Sequence, residues 1–302
     1  MRPPDISVVI ASFRDGQVLD ACLRSLIPQC EDASVELIVA RADEPSALSA
    51  LASAFPAVRF VPVARNADLP RIRGAGLAAA TGQLVVLTED HCVADVHWVD
   101  TMRRYVGSSL DVVGGAMDNA QPRRALDWGA FFAEYGFFSA LASPAVGGPP
   151  PLLTGANVAY ARRVLPDVAA WMSAGGWENV VHDRLRAGGA AFAFEPSARV
   201  GQNLTYAFGS FLADRFRHGR DYARARLAER PGSNRWVRII ASLLLPPLLT
   251  VRVARTATGS PARALAFTRA LPFTLSFFGA WAAGEAVGYL RGPSSTSQVT
   301  AS

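Results

Sequence analysis

The chain has 302 residues, enough for one large domain or two modest ones; half are hydrophobic and 18% charged, so a sizeable core forms and general disorder is excluded. All 30 basic residues are arginine, which removes every mechanism built on a catalytic, Schiff-base or P-loop lysine. Residues 1–202 hold 17 arginines and 21 acidic residues, while residues 203–302 hold 13 and 4, so an acidic part precedes a basic, apolar one, a pattern that favours a membrane surface over nucleic acid as partner.

The first 115 residues alternate between β-branched runs and helical spacing. Ile6–Ile10 predicts a buried strand, and the apolar run from Ile6 to Ala11, six residues long, is too short for a signal peptide. Residues 16–28 carry Val18, Leu19, Cys22, Leu23 and Leu26 at helical spacing. Strands are predicted at Val35–Val39, Val58–Val63, Leu84–Leu87 and Val112-Val113. Helices are predicted at 45–54, from Pro70 through Ala80, and over Val96–Val106. This alternation argues an α/β domain with a largely parallel sheet. Ligands in such sheets sit beyond the carboxyl ends of the strands, which singles out Ser12-Phe13-Arg14, Ala40–Asp43 and Thr88–Cys92.

Residues 118–150 are aromatic-rich and end in a Gly/Pro loop, Gly147–Pro151. A helix over 178–188 and a strand over Ala191–Phe194 follow. From 207 a basic amphipathic helix begins, with Phe208, Phe211, Leu212, Phe216 and Tyr222 near one face and arginines over much of the rest. Two apolar segments come next. Ile239–Val251 contains Pro246-Pro247 and is too short to span a bilayer; Ala270–Leu290 is borderline. The arginines between them oppose two clean spans, which favours an interfacial or re-entrant hairpin; core helices of a small second domain are the alternative. The expected organisation is a catalytic domain over 1–205, an amphipathic linker over 206–235, a membrane-associated hairpin over 236–291 and a disordered tail over 292–302.

Cys22, Cys30 and Cys92 are odd in number and lack CxxC spacing, so neither a disulfide framework nor a cysteine zinc site is indicated, and a reducing cytoplasm fits. The Lys-free, Ala- and Arg-rich composition points to a GC-rich bacterial genome. Chemistry concentrates where the strand Leu84–Leu87 runs into Thr88-Glu89-Asp90-His91. Two carboxylates and an imidazole at a buried strand end suit an oxygen-plus-nitrogen site for Mg²⁺ or Mn²⁺, and equally a helix-capping Asp90 beside a packed His91. Gly175-Gly176-Trp177-Glu178 offers a bend, a flat indole of the kind sugars stack on, and a carboxylate that serves as general base or as a helix N-terminal charge. Gly74-Ala-Gly76-Leu-Ala-Ala79 matches a dinucleotide fingerprint but lies inside a helical pattern, so it reads as close packing.

The order Ser7-Val-Val-Ile-Ala-Ser-Phe-Arg14, Ala21-Cys-Leu-Arg-Ser-Leu26, Arg65-Asn66, Arg73-Gly-Ala-Gly76, Leu84-Val-Val-Leu-Thr-Glu-Asp-His91, Thr154-Gly-Ala-Asn-Val-Ala-Tyr-Ala-Arg-Arg163 and Trp177-Glu178 resembles family 2 glycosyltransferases over about residues 5–230. The resemblance implies a GT-A fold, a nucleotide-diphosphate sugar donor, Mg²⁺ or Mn²⁺, and inversion at the anomeric carbon. It places Ser12 and Arg14 at the nucleotide base, Arg73 near the nucleotide or its phosphates, and Glu89-Asp90-His91 where the family carries Asp-x-Asp, with Glu89 and His91 ahead of Asp90 as metal ligands. Gly155, Ala156 and Asn157 would line the donor–acceptor cleft with Trp177, and Glu178 would deprotonate the acceptor. Arg41 stands where the family has a nucleoside-contacting Asp, and Gly201 or Gln202 where many members have a late His. The implied partners are a nucleotide sugar, a lipid-linked or other glycan acceptor and the cytoplasmic face of the membrane. A catalytically inactive scaffold is the alternative.

Overall fold

The computed structural model describes residues 3–14, 16–140, 152–229, 234–257 and 259–292. The chain divides into two units: Met1–Ala120 with Phe138–Leu204, and Gln121–Phe137 with Thr205–Ser302. The predicted Gly/Pro loop at 147–151 and the tail beyond 292 lie outside the described residues.

The first unit is an eight-stranded mixed sheet with helices on its faces. Its strands are β1 (Ile6–Ser12), β2 (Val35–Arg41), β3 (Arg59–Pro62), β4 (Leu84–Glu89), β5 (Cys92–Ala94), β6 (Val112–Asn119), β7 (Asn157–Ala161) and β8 (Phe192–Gln202). Spatial order is β3-β2-β1-β4-β7-β6-β8-β5. The half from β3 to β4 is parallel, as the alternating pattern predicts; β7 then runs antiparallel to both β4 and β6. Beyond β4 the sheet is therefore mixed. The helices are α1 (Gly16–Leu26), α2 (Pro45–Ala54), α3 (Leu69–Ala79), α4 (Trp98–Arg103), α6 (Leu165–Ser173) and α7 (Glu178–Ala187), α5 belonging to the second unit. Asp68 caps α3 by accepting from the Arg71 N–H, and Pro70 sits in the first turn, where its missing donor is harmless. Gly76 of α3 packs where a Cβ would strike Val9, which is the close packing its sequence pattern indicates. β1 is buried along its whole length, so its residues are uniformly apolar or small rather than alternating.

Strands β5 and β7 and helix α6 are additions to the sequence reading, and β6 and β8 extend well beyond the runs that announced them. Asn157 starts β7 and is completely buried. Its carboxamide accepts from Trp98 Nε1 (3.0 Å) and donates to the carbonyls of Ala116 and Ala198 (2.9 Å each), joining α4, β6 and β8.

The second unit is helical: α5 (Ala125–Glu134), α8 (Phe208–Glu229), α9 (Arg235–Leu243), α10 (Leu245–Ala257) and α11 (Pro261–Arg291). The aromatic stretch after 118 contributes α5 to this unit. α8 and α11 approach through small residues: a Cβ on Gly219 would meet the Trp281 backbone, and Cβ atoms on Gly284 and Gly288 would meet the backbone of α8. α11 thus spends Phe277, Phe278, Ala282 and Tyr289 on the interior of its own unit. Among the described residues no single helix is long and apolar enough to cross a membrane; α9 and α10 pass that test only as a pair bent by 53°. The break falls before Pro246-Pro247, which cannot donate to the carbonyls of the preceding turn.

Replacing Asn157 with Ala strands the Trp98 N–H and two carbonyls; urea unfolding is expected to show a loss of about 3 kcal/mol. An unchanged midpoint would contradict this structural role.

Candidate active site

Because β1 and β4 are parallel neighbours with Ala11 opposite Glu89, their carboxyl ends bring Ser12–Arg14 and Glu89–His91 together. Asp90 is fully buried, and its Oδ2 accepts from Ser12 Oγ (2.9 Å), the Phe13 N–H (2.8 Å) and the Arg14 N–H (2.8 Å). Burial pushes the Asp90 carboxyl up, but neighbouring His91 and the two backbone donors outweigh it and hold it below the usual carboxylate range. Asp90 therefore grips the loop after β1. Arg41, at the end of β2, braces the same loop: Nη1 donates to Ser12 Oγ (2.6 Å) and to the Arg14 carbonyl (2.7 Å), while Nε pairs with Asp43. Phe13 is half-exposed, edge-on to His91 at 6.2 Å, with the Arg14 guanidinium 4.9 Å from its ring.

Arg73 forms the second cluster. It projects from α3, is 3% exposed, and bridges Glu89 Oε1 (2.5 Å, from Nη2) and Glu178 Oε2 (2.6 Å, from Nη1). Burial works against its charge; the two carboxylates outweigh that and hold it cationic. Gly155 makes the path: a Cβ there would lie 2.7 Å from the guanidinium carbon. Glu178 is the first residue of α7, where the helix dipole favours a carboxylate. Burial raises the Glu178 pKa, but Arg73 more than offsets it, so the group is held below the ordinary glutamate value. The preceding turn needs glycine: Gly175 has φ +94°, and a Cβ on Gly176 would sit 2.8 Å from the Trp171 carbonyl. Trp177 then stands 41% exposed, with Arg73 6.0 Å from its ring. One turn beyond Glu178, buried His182 shares a 2.8 Å hydrogen bond with the Tyr160 hydroxyl. Burial holds His182 down to about 4, so it is neutral at physiological pH.

Both clusters meet at the end of β4. Ser12, Arg14 and Asp90 form one; Arg73, Glu89, Gly155, Trp177 and Glu178 form the other. Ser12 is buried and acts through Asp90 rather than at a surface. Ala156 and Asn157 are buried beneath the site rather than facing a cleft: the Ala156 carbonyl accepts from Thr88 Oγ1 (2.9 Å), and Asn157 is consumed by the framework. Gln202 is buried and pairs in register with Cys92, one residue beyond His91. The sequence reading missed Phe13 as cover for His91, Arg41 as a brace and His182–Tyr160 as support behind Glu178. Phe13 and Arg41 carried a signal in their places at the ends of β1 and β2, though not their roles; His182–Tyr160 depends on partners distant in the chain.

Among the described residues no three His, Cys, Asp or Glu side chains are arranged to hold a metal. Glu89 has given one oxygen to Arg73, and its Oε2 lies 3.4 Å from His91 Nδ1. Asp90 Oδ1 is buried with no hydrogen-bond partner among the described residues, 3.8 Å from the same nitrogen. The unspent oxygen thus belongs to Asp90, which the sequence reading ranked third. This set offers one or two donors, so Mg²⁺ or Mn²⁺ would fit here only with most of its oxygen ligands supplied from outside the protein.

The profile described as glycosyl transferase family 2 matches residues 7–168. Among solved structures, a mannosyltransferase from Pyrobaculum calidifontis in complex with GDP-Man and Mn²⁺ superposes with TM-score 0.55 at 15% identity, over 94% of this chain and 87% of that one. GalNAc-T7 with UDP, GalNAc and Mn²⁺ gives TM-score 0.49 at 15% identity, over 68% and 44%. No curated protein sequence matches the chain significantly.

Gly155→Ala should push Arg73 out of its bridge and lower turnover at least about tenfold while the fold survives; turnover within twofold of wild type (about the scatter of such assays) would sink that reading. Neutral His182 favours the folded state fully above about pH 6.5, its unfolded value. That contribution fades as pH falls toward about 4. Urea titrations should show an acid-dependent loss of up to about 3 kcal/mol that His182→Gln lacks.

Proposed function

As a member of glycosyl transferase family 2 the chain is a glycosyltransferase, and we propose that it moves a sugar from a nucleotide-diphosphate donor to an acceptor hydroxyl by a single inverting displacement at the cytoplasmic face of a bacterial membrane. The observation that carries this is the Arg73 guanidinium between Glu89 and Glu178. It sets a phosphate-seeking cation beside the carboxylate that would serve as base.

In the free enzyme Arg73 holds Glu178 ionised but weakly basic. An arriving diphosphate competes for the guanidinium, since bidentate Arg–phosphate pairs are strong. As Arg73 turns toward the phosphates, Glu178 loses its partner and its basicity rises toward the range suited to proton abstraction. The acceptor oxygen then attacks the anomeric carbon, its proton passes to Glu178, and the bond to the diphosphate breaks on the opposite face. Trp177 offers the exposed face for a sugar ring. Asp90 Oδ1 and His91, with Glu89 alongside, would hold Mg²⁺ or Mn²⁺. That ion, when bound, neutralises charge on the departing nucleoside diphosphate. The basic helical unit supports a lipid-linked or other glycan acceptor presented at the membrane.

Glu178→Gln should cut kcat by about 10²–10⁴ while donor KM stays within about threefold. Full turnover in that variant would overturn the assigned base, and an absence of transfer in wild type with every donor tried would favour the scaffold. The acid limb of kcat/KM, which reports free enzyme, should lie below that of kcat, which reports the donor complex. Coincident limbs would contradict the exchange of Arg73 from carboxylate to phosphate.

A further inference from the structure

The helical unit holds a cavity of about 430 Å³, walled by Arg226, Asn234, Arg238, Ser242, Glu285 and Tyr289 from α8, α9 with its capping residue Asn234, and α11. Among the described residues the ion pairs of α8 within 4 Å are made by Arg215, Arg217 and Arg220, while the Arg226 guanidinium lies 5.9 Å from the Tyr222 ring. Arg238 has no ion pair within 4 Å among the described residues; its guanidinium lies 5.8 Å from the Tyr289 ring. Among the described residues Glu285 is the one carboxylate in the wall, and it is already engaged: Oε1 accepts from Trp281 Nε1 (2.7 Å) and Oε2 from Ser242 Oγ (3.4 Å). Two arginines against one engaged carboxylate leave the cavity positive, and its Asn and Tyr side chains add polar contacts.

The cavity is bordered by an exposed apolar row. Trp236, Ile240, Leu243, Leu244, Leu248 and Val251 recur at helical spacing along α9 and α10 and are 52–69% exposed. Val237 of α9 and Leu245 of α10 belong to the cavity wall itself. A row this long and exposed is out of place against water, whereas the headgroup–acyl boundary would take it. The bend before Pro246-Pro247 suits a pair that lies in that boundary.

We propose that this cavity is a docking site for the phosphate headgroup of an anionic membrane lipid, with Arg226 and Arg238 receiving the phosphate while the apolar row of α9 and α10 enters the acyl boundary. The proposal rests on the membrane-surface reading and not on the catalytic one. Charge complementarity commits it to an anionic lipid: residues 203–302 carry 13 arginines against 4 acidic residues, and two of those arginines meet in one cavity beside the apolar row.

The test is flotation of the full chain with vesicles of neutral phosphatidylcholine, and with the same vesicles containing about one third phosphatidylglycerol. Binding to the anionic vesicles should be at least about tenfold tighter. Arg226→Gln/Arg238→Gln should lose that preference. Arg217→Gln/Arg269→Gln, which removes the same charge from exposed sites outside the cavity, should keep most of it. An unchanged nucleotide titration would certify the fold of the cavity variant. Equal binding of wild type to both vesicles, or equal losses in the two double variants, would overturn the headgroup site while leaving membrane association standing. Binding to neither vesicle would overturn both. A cavity variant that loses affinity for inorganic phosphate yet floats like wild type would mark a soluble-anion site and overturn the lipid assignment.

Discussion

The site depends on one buried cation. Arg73 lies between two carboxylates that would otherwise face each other across a protein interior, and each partner makes the others tolerable there. Removing the cation leaves buried Glu89 uncompensated beside a second carboxylate, at a cost of about 3–5 kcal/mol. Much of the local architecture answers to that need. α3 delivers the guanidinium, β4 ends on Glu89, α7 begins on Glu178, and residue 155 has no side chain because the guanidinium passes there. For the proposed base Glu178 the network is also frustrated, because the cation that keeps it charged keeps it weakly basic. A competing anion for Arg73, such as the diphosphate of the proposed donor, would resolve this.

A second constraint fixes the neighbouring loop. One oxygen of Asp90 accepts three hydrogen bonds and so sets the path of Ser12–Arg14, while Arg41 ties the loop from the other side. Arg41 thereby has a mechanical role, with its Nε paired to Asp43. Asp90 Oδ1 keeps one lone acceptor in a buried setting, a cost that a shared cation would remove.

The parallel half of the sheet was legible because buried parallel strands are continuous β-branched runs separated by helix-period segments; β1, β2, β4 and α2 follow that rule closely. The antiparallel half was not. β7 is Asn-Val-Ala-Tyr-Ala, whose first residue reads as polar loop but is spent on Trp98 and two carbonyls. β8 contains Pro196, and its pairing with β6 shifts register between Gly115 and Ala116, so no clean run announces it. At the site, residue types at strand ends were readable: Glu89, Asp90, His91 and Glu178 stand out as charges beside apolar runs. Their division of labour was not, because it rests on contacts such as Arg73–Glu178, 105 residues apart. The apolar segments near the C-terminus were readable as composition only. α11 turns its share into the unit's interior through Gly284 and Gly288, and α9 and α10 leave theirs exposed.

The central claim is that a nucleoside diphosphate takes Arg73 from Glu178. Calorimetric titration of UDP and GDP with Mn²⁺, at about pH 5 in buffers of differing ionisation enthalpy, reads that exchange as protons taken up on binding. The account expects wild type to take up a fraction of a proton more than Glu178→Gln, because Glu178, depressed in the free enzyme, regains affinity for a proton when its partner leaves. Equal proton uptake in the two proteins, with nucleotide bound to both, would contradict it.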